Sequence, residues 1–170
     1  MTPEFSRVID LRQIGDKPVR LVADEAERRR LAGRFALSGI DSLEADVELV
    51  PDGPVVTATG RLRAAVVQAC AISGEDFPVA IDEPLFVRFV PAVRRELPDE
   101  EIELDADDLD EVEYEGTAFD LGEAVAQSLA LAIDPFAEGP NAEAARKAAG
   151  LNDSSASGPF AALAALRRDD

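Results

Sequence analysis

From Ser42 to Val50 the chain alternates without interruption, with Leu43, Ala45, Val47 and Leu49 on one side and Glu44, Asp46 and Glu48 on the other. A period of two belongs to a strand with one face in a core and one in water, because successive strand side chains point to opposite faces. Pro51-Asp-Gly-Pro54 reads as a turn, Val55 to Ile72 as a long second strand, and Ser73-Gly-Glu-Asp76 as another turn. A third strand, Val79 to Val90, sets Leu85, Val87 and Phe89 on one face. Three successive strands joined by short turns predict an antiparallel β-meander. Gly60 predicts a bulge or bend that curls the sheet toward a barrel, and Pro84 places the third strand at an edge or a bend.

Helical signals flank this sheet. Phe5 to Leu11 reads as a short strand, and Gly15-Asp-Lys-Pro18 turns the chain into a second apolar stretch ending at Val22. Asp24 followed by Glu27 has the spacing of a capping box, with Leu31 and Phe35 as an apolar pair on a helix expected to end near Gly39. Asp120 and Glu123 repeat the cap spacing ahead of Leu121, Val125, Leu129, Ala132 and Ile133, until Asp134-Pro135 stops the helix. Short amphipathic stretches follow at Ala142 to Ala149 and Phe160 to Arg167. The expected fold is α+β, with helices packed on one side of the meander. Residues 1–136 form one domain in this reading, and residues 137–170 an Ala-rich C-terminal tail.

Charge narrows the function. The chain holds 35 acids, 17 bases and no histidine, for a net charge of −18. Without histidine there is no His-dependent triad, and the commonest transition-metal ligand is missing. No Ser, Cys or Lys nucleophile has an evident base beside it, so no catalytic residue and no cofactor is expected. Residues 96–115 carry twelve acids and no base, which predicts a solvated, mobile acidic loop with a short strand at Ile102 to Leu104. Asp105, Asp107, Asp108 and Asp110 invite a calcium loop. However, the sixth position is Asp110 instead of glycine and the twelfth is Gly116 instead of glutamate, so the EF-hand reading fails and no metal site is assigned. Nothing near Met1 resembles a signal peptide and no apolar run is long enough for a bilayer, so the expectation is a soluble, cytoplasmic protein that does not enter membranes.

Within this acidic chain the first 34 residues hold eight bases against six acids. Arg28, Arg29, Arg30 and Arg34 would form a basic stripe on the first helix, and Arg61 and Arg63 would face alike on the second strand. These six are the candidate nucleic-acid-binding residues, since a guanidinium holds phosphate bidentately and screening lets a local patch act locally. The competing reading is a solvated helix face paired with Glu25 and Glu27. Cys70, the one cysteine, ends the second strand and reads as a small buried hydrophobe.

Two segments at a characteristic distance carry a family resemblance. One is Gly60-Arg-Leu-Arg63 leading to Gln68-Ala-Cys-Ala-Ile-Ser-Gly-Glu-Asp-Phe-Pro-Val-Ala-Ile-Asp-Glu83; the other is Phe119-Asp-Leu-Gly-Glu-Ala-Val-Ala-Gln-Ser-Leu-Ala-Leu-Ala-Ile-Asp-Pro135. With the tail Gly158-Pro-Phe-Ala-Ala-Leu-Ala-Ala-Leu-Arg-Arg168, the chain resembles the YceD family, in a Cys-poor proteobacterial form. Relatives often carry a second cysteine where Ser73 stands here, so a zinc site is not carried over. The resemblance implies a non-enzymatic role in accumulation of large-subunit ribosomal RNA. The partner would be the RNA precursor or an assembling large-subunit particle, or a basic ribosomal protein that the acidic segment masks. Motif positions carried over are Cys70, Asp120, Leu121, Gly122, Glu123, Leu129, Leu131 and Pro135, with Asp120 and Glu123 expected to cap a helix and the leucines to face a core.

Overall fold

A computed structural model describes residues 3–92 and 111–150. The chain divides into two compact units. Of the described residues, those up to Val67 and from Pro78 to Ile133 build one, and Gln68–Phe77 with those from Asp134 onward build the other.

The first unit is α+β. A five-stranded sheet runs in the order β2 (Val19–Val22), β3 (Gly39–Asp52), β4 (Val55–Ala69), β5 (Asp76–Pro91) and β6 (Glu111–Tyr114). β2 pairs antiparallel with β3, and β3 antiparallel with β4. The alternation seen in the sequence sorts as expected, with Leu43, Ala45, Val47 and Leu49 all buried. A separate two-stranded antiparallel sheet joins β1 (Val8–Asp10) to β7 (Ala118–Asp120), which fixes the N-terminal segment against the entrance to a helix far along the chain. Helices α1 (Glu25–Arg34) and α2 (Leu121–Ala132) send Leu31, Leu121, Val125 and Leu129 into the same core as the inward strand residues. Phe89 stacks on Phe119 at 4.1 Å between centroids, bringing β5 and β7 together beneath this layer.

Several expectations are corrected. The sheet is open, with β2 and β6 at its two edges, so no barrel closes. Gly60 makes no bulge: the β3–β4 register runs evenly through Val47↔Gly60, and the irregularity lies between Ile40 and Ser42. Glycine serves a close approach instead, since a Cβ at position 60 would stand 1.9 Å from the Asp46 carbonyl oxygen. β6 runs parallel to β5, in the register Arg88↔Glu111 to Pro91↔Tyr114, so the meander acquires a parallel edge. Residues 111–114, expected in the acidic loop, are therefore strand: Arg88 Nη1 bonds Glu111 Oε1 at 2.6 Å, and Tyr114 is buried with its hydroxyl donating to the Pro54 carbonyl. The proposed strand at Ile102 to Leu104 and helix at Phe160 to Arg167 lie outside the described residues. Pro84 precedes the four β5 residues that β6 covers, and so lies on the stretch of β5 that β6 leaves unpaired.

The first helix ends at Arg34, short of Gly39. Leu37 N–H donates to the Ala32 carbonyl at 2.9 Å and Ala36 N–H to Gly33, with Ala36 at φ 53°. This is a Schellman termination with alanine in the left-handed position that glycine usually fills. The start of α1 is as predicted: Asp24 accepts the Glu27 N–H, and Glu27 accepts the Asp24 N–H.

In the second unit, helix α3 spans Ala142–Ala148. One backbone and one side-chain bond tie the turn after β4 to the segment before α3: Ala71 N–H donates to the Ala137 carbonyl, and Asn141 Nδ2 donates to Glu75 Oε2. No helix among the described residues is long and apolar enough to cross a membrane.

Candidate nucleic-acid interface

The capped start of α1 sets the position of its arginines. Glu27 and Leu31 face inward, one turn apart, which leaves Arg29, Arg30 and Arg34 on exposed positions and Arg28 half-buried. Arg28 Nη1 donates to the Ala23 carbonyl at 2.8 Å, and Arg30 Nη2 to the Glu4 carbonyl at 3.3 Å. Neither is held by a carboxylate among the described residues. Arg29 pairs with Glu25 at 2.9 Å across one helical turn, both side chains more than three-quarters exposed, so the contact is solvent-screened and weak.

Arg34 differs. Its guanidinium grips Glu123 through two bonds and reaches Glu4 at 3.3 Å; the bonds to Glu123 raise the Arg34 pKa further, and the guanidinium in turn holds Glu123 below the usual carboxylate range. It clamps α1 to α2, and Glu123 serves that clamp in place of the reciprocal cap predicted for it.

The structure does not bring Arg61 and Arg63 to α1. They flank Leu62, which is buried in the core that Leu31 enters, so the two arginines project from the opposite face of the sheet. There Arg61 bonds Asp82, and Arg63 lies 3.6 Å from Asp46 and 3.9 Å from Asp82. Arg20 completes this mixed-charge face at 2.7 Å from Glu44. The Arg61 hydrogen bond keeps Asp82 below its ordinary pKa. Of the six candidates, Arg28 and Arg30 meet no carboxylate among the described residues, Arg29 is in an exposed pair with Glu25, and Arg34, Arg61 and Arg63 are paired with acids of other elements.

Most of the motif residues build the junction beneath α1 and α2. The Asp120 carboxylate accepts the Glu123 N–H at 3.1 Å, the Arg7 N–H at 2.8 Å and the Ser6 hydroxyl at 2.6 Å. Gly122 lies where a Cβ would meet the Arg7 nitrogen at 2.7 Å and the Phe5 carbonyl at 2.8 Å. Leu121 and Leu129 are fully buried, and Pro135 follows the end of α2. Leu131 does not face the core as expected: it is 88% exposed, because it falls two positions from Leu129 and hence on the far side of the helix. Arg7 had no signal in the sequence. Its guanidinium forks onto both oxygens of Glu27, at 2.7 and 3.0 Å, and stacks over Phe5. Only a long-range fold could show that pairing.

Cys70 is buried in the second unit, where the N–H groups of Ile72 and Ser73 each lie 3.4 Å from its sulfur. Hydrogen bonds from Ser73 and the surrounding backbone pull its thiol down to about 7. Among the described residues no cluster of three or more His, Cys, Asp or Glu side chains could hold a metal ion.

Comparison with known families gives one match: the model described as large ribosomal RNA subunit accumulation protein YceD covers residues 58–167, more than half of the chain. No curated protein and no solved structure matches.

Proposed function

Since the chain belongs to the YceD family, that of the large ribosomal RNA subunit accumulation protein, we propose that it is a non-enzymatic ribosome-biogenesis factor acting in the cytoplasm on precursor large-subunit RNA or on the assembling particle. The family match carries this reading. A net charge of −18 opposes tight binding to naked RNA, which needs a dense set of bases to neutralise phosphates. Contact is therefore local, through Arg28 and Arg30, which meet no carboxylate among the described residues, and Arg29, whose pair with Glu25 is exposed, while Arg34, Arg61 and Arg63 are engaged by acids of other elements. Depletion of the protein is expected to lower mature large-subunit RNA, and unchanged RNA overturns the reading. Complementation with Arg28→Gln/Arg30→Gln is expected to restore RNA poorly while the variant melts as wild type. Full restoration removes the assignment to α1 and leaves the family-level role standing.

A second reading, a module that masks a basic ribosomal protein before assembly, is favoured by the charge of residues 96–170, which hold twenty acids against four bases. Such a partner is expected to be retained at low ionic strength and released as salt rises.

A further inference from the structure

Helix α2 carries one charged residue, Glu123, in a chain of which 31% is charged, and its outward positions Gln127, Ser128, Ala130 and Leu131 are uncharged. Leu131 stands 88% exposed near Phe86 of β5, itself 48% exposed. Together with Ser128, Ala132, Pro84 and Glu83 they line an open groove of about 440 Å³ between the last turn of α2 and the stretch of β5 that β6 leaves uncovered. An isolated exposed leucine needs no explanation, but two large apolar side chains lining one concave groove present a surface for apolar contact.

The electrostatics of the rim select the occupant. Glu83 has no ion pair among the described residues; Arg61 feels it only through space, its own guanidinium being bonded to Asp82. The last turn of α2 holds no basic side chain, so the partial negative charge of its terminal carbonyls is not offset there. Two independent sources of negative potential thus border an apolar groove. A second copy of the chain, itself at −18, is repelled, and so is a phosphate backbone. We infer that this groove is a docking site for a basic polypeptide segment, which seats an apolar side chain against Leu131 and Phe86 and places a lysine or arginine between Glu83 and the C-terminal end of α2. The inference rests on the reading that the chain works beside the basic proteins of an assembling ribosomal subunit, and it adds the surface that meets one of them.

The test uses the purified full chain and synthetic peptides tiled across the proteins of the large ribosomal subunit, with affinities read by fluorescence polarisation. Peptides with an apolar residue flanked by Lys or Arg are expected to bind. Leu131→Asp and Glu83→Lys are each expected to weaken that binding about tenfold or more. Both positions are exposed, so thermal melts are expected to match the wild type. Wild-type affinity in Leu131→Asp overturns the inference. Equal binding of polylysine, which has no apolar anchor, overturns it as well, and so does single-stranded RNA that binds with the same dependence on Leu131 or a Leu131-dependent dimer in sedimentation. Failure here is separable from failure of the accumulation role. If depletion leaves RNA unchanged while the groove still selects these peptides, the role falls and the docking site stands; if depletion lowers RNA but Leu131→Asp binds every peptide normally, the docking site falls alone.

Discussion

The Arg34 guanidinium meets the Glu123 carboxylate through two bonds, Nη1 at 3.0 Å and Nη2 at 2.8 Å, and so ties the last turn of α1 to the first turn of α2. A residue that reads in the sequence as part of a phosphate-binding stripe is thereby a clamp between helices. Both side chains are about one-third exposed, which limits the strength of the pair. Arg34→Ala is expected to lower stability by about 1 kcal/mol in urea titrations. Cells complemented with it are expected to keep large-subunit RNA levels near wild type. A stability unchanged within error would show that the clamp contributes nothing.

Backbone crowding and backbone strain give opposite outcomes at two positions. Gly122→Ala drives a Cβ to within 3 Å of three atoms of the Phe5–Arg7 backbone, and a loss of about 2 to 3 kcal/mol is expected. Ala36 sits at φ 53°, where glycine is at ease, so Ala36→Gly is expected to gain about 0.5 to 1 kcal/mol. Thermal melts of the two variants, shifting in opposite directions, check both.

Acid sensitivity follows from Glu27, whose side chain is 11% exposed under the Arg7 fork. The hydrogen bonds from Arg7 hold its carboxyl below the usual range. A depressed folded pKa means that the stabilisation is complete above the unfolded value and is lost as pH falls through the folded one. Glu27→Gln is expected to cost about 1 to 2 kcal/mol at neutral pH and to flatten the decline of stability on acidification. An acid limb as steep as that of the wild type would refute this assignment.

Cys70 supplies a second pH dependence, of the same sign and in a higher window. With its thiol at about 7, lowered first by Ser73, the folded state favours the thiolate. Stability is expected to be lower below pH 7 and to rise as pH climbs toward the value of a free thiol, about 8.5. Thiolate absorbance during a pH titration locates the midpoint, and Ser73→Ala is expected to move it upward.

The period of two in β3, the capping box at Asp24 and Glu27, and the spacing of Leu121, Val125 and Leu129 were each legible because the information is local: a face, a cap or a turn is written within a few residues. Gly60 stands out in the sequence, where it suggests a bulge; the reason for glycine is not legible there, because the carbonyl of Asp46 that crowds it lies on another strand. The family motif implies a core leucine at Leu131, but its two-residue offset from Leu129 places it on the solvent side.

By itself the sequence determined the α+β class, the order of the principal elements, the excess of acid over base and the family, since these depend on composition, periodicity and recognisable segments. Tertiary structure alone decided which arginines are held by acids, that Asp120 joins α2 to the Ser6 hydroxyl and the Arg7 N–H, that β6 lies parallel to β5, and that Leu131 and Phe86 share a groove. Those outcomes hang on contacts between residues tens of positions apart, and Coulomb attraction and packing act through distances in space that a linear order of side chains does not contain.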